Sequence, residues 1–252
     1  DVYKRQVEND RDACDTLRLN RDNDLVAVNQ RWNVREDDVH NLNGADFKGV
    51  DLVAGGVPCP PFSIAGKQLG ADDERDLFPK ALEIIALADP KAVLLENVRG
   101  LSQPRFKNYR ESVLSELYRL GYEPHWRLIY ASEHGVPQLR PRFVLVAVKQ
   151  EYAAFFHWPE PQGEAPTVGE TLYAEMASRG WLGAERWAVR ANGIAPTLVG
   201  GSKKHGGPDV GPSRAREAWA KLGVKGSSIA EYPPAADAVS YTHLTLPTNR
   251  EV

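Results

Sequence analysis

Asp51-Leu52-Val53-Ala54-Gly55-Gly56-Val57-Pro58-Cys59-Pro60-Pro61-Phe62-Ser63 is the stretch on which the reading of this chain turns. Asp51 to Ala54 reads as a short buried strand, and Gly55-Gly56 ends it. Proline then stands on both sides of Cys59. Proline locks φ and removes a backbone donor, so the thiol is expected in a rigid loop just past the carboxyl end of a strand. A cysteine so placed is either a small buried residue or a nucleophile with acidic and basic partners nearby. Cys14, on a helix predicted from Asp12 to Leu19, fits the first description.

Outward from that loop, apolar runs and amphipathic stretches alternate. Leu77 to Leu87 has helical spacing (Leu77, Ala81, Ile84, Ile85) and stops before Pro90. Ala92 to Leu95 is a second buried strand, and Tyr109 to Leu120 a second helix closed by Gly121. Trp126 to Tyr130 and Phe143 to Val148 are two further strands. Strand-helix-strand alternation predicts an α/β fold with a mostly parallel sheet and helices on both faces. Ligands bind such sheets at the carboxyl ends of the strands, where the Pro58 run and Glu96 both fall.

Residues 7–158 are expected to form this domain. Beyond Trp158-Pro159 glycine, proline and tryptophan dominate and periodicity is lost, so 159–236 is expected to be a smaller, loop-rich region. Residues 1–6 and 239–252 continue no neighbouring pattern and are expected to be non-native ends.

Composition narrows the function classes. With 42% apolar residues among 252, the chain has the make-up of a globular protein. No apolar run approaches the roughly 20 residues of a membrane span. Two cysteines cannot build a disulfide framework or a zinc site, so a reducing, cytoplasmic setting is expected and no metal. The net charge of -3 is slightly unfavourable for nucleic-acid binding. Its distribution is more telling, with acids crowding the first third and Lys203, Lys204, His205, Arg214 and Arg216 gathered late.

Two further groups bear on Cys59. Glu96 follows the strand Ala92 to Leu95 and is either a functional carboxylate or the cap of the next turn. Gln138-Leu139-Arg140-Pro141-Arg142 precedes the strand Phe143 to Val148. Arginines two apart on an extended segment point the same way, which suits either an anion clamp or a solvated strand entrance.

Together these elements resemble the DNA cytosine-C5 methyltransferase family over about residues 7–236. The catalytic loop Pro58 to Ser63 comes first, then Ile64 to Gln68 with Leu77-Phe78. The Glu96-Asn97-Val98 triplet and Gln138, Arg140 and Arg142 follow in the family's order. The resemblance implies a Rossmann-like S-adenosylmethionine-dependent methyltransferase fold with a smaller target recognition region. It makes Cys59 the nucleophile, Glu96 the acid that protonates the cytosine ring, and Arg142 and Arg140 the groups that orient Glu96 and the substrate. Glu8, in Val7-Glu8-Asn9-Asp10, would accept from the cofactor's ribose hydroxyls and Asp38 from its adenine amine, with Pro58 and Leu77 alongside. Leu77 has one residue fewer before it than the family pattern.

Ala191 to Arg216 resembles part of the recognition region of bacterial enzymes, where Lys203, Lys204, His205, Arg214 and Arg216 would meet phosphates or guanine edges. Ser63 would contact phosphate beside the flipped base. The family's glycine-rich first motif is not found before Glu8, nor its Gly-Asn motif near the C-terminus. The resemblance thus implies a cofactor pocket that these residues supply only in part. The implied setting is a bacterial or phage-encoded monomer acting on double-stranded DNA, with a cognate restriction endonuclease acting separately. A tRNA cytosine-C5 methyltransferase and a catalytically incomplete DNA-binding fragment are the alternatives.

Overall fold

In the computed structural model the described residues are 3–22, 31–58, 76–198, 210–225, 230 and 232–238. The chain divides into two compact units, Asp1–Arg127 with Phe143–Phe156, and Leu128–Arg142 with His157–Glu251.

The first unit is α/β. Strand β1 (Tyr3–Glu8) is followed by helix α1 (Arg11–Asp22) and strand β2 (Arg31–Glu36). β1 and β2 pair in parallel, from Tyr3 opposite Arg31 to Glu8 opposite Glu36. Then come β3 (Leu52–Gly56), α2 (Phe78–Ala88), β4 (Ala92–Val98), α3 (Lys107–Arg119), β5 (Tyr122–Tyr130), β6 (Pro141–Lys149) and the single-turn helix α4 (Gln150–Ala153). The last four strands form one sheet in the order β3-β4-β6-β5, with β3 and β4 parallel. The expected strands and helices are thus present, and their hydrogen bonding divides them into a pair and a four-stranded sheet. β3, expected to be buried, is instead an edge strand with Leu52 and Ala54 exposed, because only one of its flanks is paired among the described residues.

Local chemistry sets the element ends. Pro79 stands in the first turn of α2, where its missing N–H costs nothing, and Asp89 closes the helix in the left-handed conformation at φ 50°. β4 continues past the expected Leu95 as far as Val98, and its register with β3 reaches Gly56 opposite Glu96. β5 starts at Tyr122, before the expected Trp126. Tyr122 and Pro124 are both buried, and the Tyr122 hydroxyl donates to Pro90 O at 2.7 Å. Between the helices and the sheet, Ile85, Val93, Leu95, Leu117 and Leu145 are essentially fully buried. An aromatic file completes this core, with Trp126 stacked on Phe143 at 4.7 Å and Phe78 edge-on to Tyr109 at 5.9 Å.

The second unit contains three short helices in the region expected to be loop-rich: α5 (Val168–Ala177), α6 (Ala184–Arg190) and α7 (Ser213–Lys221). Thr167 caps α5 reciprocally with Glu170, each side chain accepting from the other's backbone N–H. Val168, Met176, Trp181, Trp187 and Trp219 form its core. Gly169 lets α5 and α6 meet, because a Cβ there would lie 2.1 Å from Ala188 O.

Candidate active site

β3 delivers the chain to Pro58, the last described residue before Cys59, and the neighbouring strand β4 brings Glu96 to the same level. Gly56 is the register partner of Glu96, and a Cβ on Gly56 would stand 3.3 Å from Glu96 Oε2. The absence of a side chain on Gly56 therefore leaves room for the half-buried carboxylate of Glu96 against the backbone that leads to Cys59. Cys59 and Ser63 lie outside the described residues.

Asn97 completes this arrangement, and sequence reasoning gives it no role of its own. Its side chain is buried, and Nδ2 donates to Val57 O at 2.8 Å. Its Oδ1 accepts from Val98 N at 2.8 Å. Two strand ends are therefore tied together by one amide, two residues ahead of the cysteine. The available signal is an amide that follows an apolar run and a single carboxylate, a residue that must find partners when buried.

The far side of the cysteine-bearing segment has an anchor as well. Asp76 is buried, and both carboxylate oxygens lie 2.7 Å from the Tyr109 hydroxyl. Oδ1 also accepts from Phe78 N at 3.1 Å. Leu77, half-buried, occupies the N-cap of α2 between these two residues.

A second group of acids gathers at the carboxyl end of the β1–β2 pair. Glu8 is the last residue of β1, and its Oε1 accepts from Asn9 N at 2.8 Å and Asp10 N at 2.9 Å. Both bonds fall on one oxygen, so the other is placed to accept from a hydroxyl. Asp37 N donates to Glu8 O at 3.0 Å, which brings the residues after β2 alongside. Asp38, exposed, caps the following 3-10 turn by accepting from His40 N at 2.8 Å. The Asp37 carboxyl is held below its ordinary value by the Asn41 amide and by Arg35, so it stays ionised beside them. This pair of acceptors suits a ligand presenting hydroxyls and an amine. Cys14 stands behind, its thiol buried and directed at Glu8 O at 3.4 Å, and burial pushes its pKa up. That environment disfavours a thiolate and agrees with a structural cysteine.

The boundary between the units cuts β6 after Arg142, so Arg140 and Arg142 fall on the side of the second unit, which also holds Arg214 and Arg216. Arg140 is exposed and has φ +29°, so the segment is not extended there and strand alternation does not fix where the two arginines point. Arg142 is the second residue of β6, half-buried, with Nη1 donating to Pro141 O at 2.9 Å. Arg214 and Arg216 are exposed in the first turn and a half of α7, in a helix and not in the glycine-rich loop. Lys203, Lys204 and His205 lie outside the described residues.

A cavity of about 190 Å³ on the β1–β2 pair, lined by Arg5, Asn33, Arg35 and Phe47 among others, includes none of the expected site residues. Among the described residues no group of three or more His, Cys, Asp or Glu side chains is arranged to hold a metal ion. No helix among them is long and apolar enough to cross a membrane.

Residues 4–198 match the family model of the C-5 cytosine-specific DNA methylases. Type II methyltransferase M.NaeI of Lentzea aerocolonigenes is 58% identical over 92% of this chain and 55% of its own length. Type II methyltransferase M.NgoMIV of Neisseria gonorrhoeae is 54% identical over 77% of this chain and 60% of its own. The chain therefore spans little more than half the length of these relatives. Among solved structures, a Spodoptera frugiperda DNMT2 mutant superposes with a TM-score of 0.51 at 22% identity, covering 65% of this chain and 50% of that one. That likeness shows a shared fold.

Proposed function

Since the chain belongs to the C-5 cytosine-specific DNA methylase family, we propose that its site transfers a methyl group from S-adenosylmethionine to carbon 5 of a cytosine flipped out of duplex DNA. The observation that carries this reading is the tie between β3 and β4. Gly56 opposite Glu96, and Asn97 on Val57, set a carboxylate beside the strand end that leads to a proline-bounded cysteine.

The chemistry follows from the poor reactivity of cytosine at carbon 5. The Cys59 thiolate adds to carbon 6, and Glu96 delivers a proton to ring N3, so the ring becomes an enamine and carbon 5 becomes nucleophilic. S-adenosylmethionine, when bound, supplies the electrophilic methyl group. Carbon 5 then loses its proton to a base, and the ring electrons expel Cys59 by β-elimination. An unperturbed thiol has a pKa of about 8.5, so the site must favour the thiolate or remove the proton during attack. In the family's pattern Arg142 would orient Glu96 and the cytosine O2 side, with Arg140 supporting.

Glu8 and Asp38 would hold the cofactor's ribose and adenine, because their remaining acceptor positions fit hydroxyls and an amine, with Pro58 and Leu77 beside them. Arg214 and Arg216 on α7, with Ser63, Lys203, Lys204 and His205, would meet the DNA backbone or guanine edges. Flipping the base costs a few kcal/mol, which those contacts offset. The relatives are named Type II methyltransferases, which supports a role in restriction–modification with a nuclease of the same specificity as separate partner.

The test is Cys59→Ala in the full-length enzyme. Tritium transfer from labelled cofactor to duplex DNA should fall to background while duplex binding persists. Transfer near the wild-type rate sinks the assignment, and transfer to tRNA but not to duplex DNA by the unaltered enzyme would replace DNA by tRNA as substrate.

A further inference from the structure

The segment that carries the arginine pair is held by a segment far along the chain, and one side chain makes the last link. Leu139 N donates to Ala195 O at 2.8 Å and Ala195 N to Pro137 O at 3.0 Å, so Gln138 and Ala195 form a parallel bridge. Leu198 N then donates to Gln138 Oε1 at 3.0 Å. Leu139 O is also engaged, accepting from Ala131 N at 3.1 Å. The residue before Arg140 thus has both backbone groups committed, and Arg140 itself sits at φ +29°. A non-glycine residue in that region persists only where its surroundings over-determine it. On the other side of the clamp, Leu198 leads directly in sequence to Val199-Gly200-Gly201-Ser202-Lys203-Lys204-His205.

We propose that Gln138 is a positioning residue that couples the target recognition segment to Arg140 and Arg142 through its hydrogen bond to Leu198 N–H. Gln138 touches no reacting atom. It acts by fixing Ala195 to Leu198 against the strand entrance, so that a displacement of one is transmitted to the other and to the backbone of Arg140. This coupling rests on the proposed DNA cytosine methyltransferase activity.

The clamp needs an acceptor at the tip of the side chain, which Gln138→Leu removes and Gln138→Glu retains. In the full-length enzyme, Gln138→Leu should lower kcat on the preferred duplex about tenfold and speed Leu198 amide exchange about tenfold, the loss of one hydrogen bond. Preference over a duplex with one base pair changed should shrink as well, while S-adenosylmethionine affinity holds. Gln138→Glu should stay within about threefold of wild type in every readout, since the acceptor is kept. Unchanged kcat and preference in Gln138→Leu, unchanged Leu198 exchange, or equal damage in Gln138→Glu would overturn the proposal. If Gln138→Leu fails to fold, Gln138→Asn, whose acceptor is too short to reach Leu198, takes its place with the same expected outcomes. An unaltered enzyme that methylates no duplex overturns the functional reading and the coupling to recognition together. The exchange of Leu198 still reports separately whether the clamp exists.

Discussion

The two units hold their polar groups in different ways. In the first, Glu8 and Glu96 stand on strands, and register decides their neighbours: Glu96 lies opposite Gly56, and Glu8 opposite Glu36. In the second, Arg214 and Arg216 ride on a nine-residue helix that is held down by one buried indole, Trp219. A strand end is fixed by hydrogen bonds on its flank, and losing one side chain leaves the ladder in place. A short helix has marginal stability of its own and depends on tertiary packing. The presentation of these cationic residues is therefore more sensitive to a single core residue than the presentation of the Glu96 carboxylate.

Trp219→Ala tests this most severely. Removing a buried tryptophan typically costs about 3–5 kcal/mol. Amides of α5, α6 and α7 should exchange much faster while those of β3 and β4 stay protected, as hydrogen exchange would show. Equal loss of protection in both would mean that the units do not differ in this way. Trp219→Phe sharpens the point. The Trp219 and Trp187 indole N–H groups are buried with no acceptor among the described residues, so the phenyl ring keeps most of the packing and removes an unsatisfied donor. Its effect should be well below that of alanine.

A smaller effect is expected at the strand ends. Asn97→Ala leaves Val57 O and Val98 N without their buried partner, at about 1–2 kcal/mol. Its effect should be local. Thermal unfolding should shift modestly, while methyl transfer by the full-length enzyme falls further than stability alone accounts for, because the Asn97 amide holds Val57, just ahead of Cys59. Activity that merely tracks the shift in melting would remove the positioning role.

What is legible in the sequence follows the same division. Leu77 to Leu87 is readable because a three-turn helix repeats its pattern often enough, and it appears as Phe78–Ala88. Asp51 to Ala54 is readable only as an apolar run before two glycines, and it appears as Leu52–Gly56, an edge strand that is exposed or half-buried along its length. The start of β5 is hidden because Glu123, Pro124 and His125 mask a strand whose Tyr122 is fully buried. The helices of the second unit have seven to ten residues each and show too few turns for periodicity to emerge. Their tryptophans, with Val168 and Met176, are the trace of a core there. Glu8 and Asp38 are placed by motif, and their shared end of the β1–β2 pair needs the register to be seen. The left-handed turn at Arg140 leaves no mark, since arginine has no preference for that conformation.

The smallest expected effect concerns pH at the β1–β2 end. Asp37 accepts from the Asn41 amide at 2.8 Å and pairs with Arg35, and both hold its carboxyl below the ordinary value. A carboxyl depressed in the folded state binds its proton more readily when unfolded. Its contribution to stability is therefore complete above the unfolded carboxylate pKa of about 3.9 and is lost as pH falls through the lower, folded value. Asp37→Asn should accordingly flatten the acid limb of the stability curve slightly and leave neutral-pH exchange of β3 and β4 as it was. If the variant's acid limb superposes on that of the wild type, the ion pair is only a surface contact of little consequence, and the β1–β2 end is held by its strand register alone.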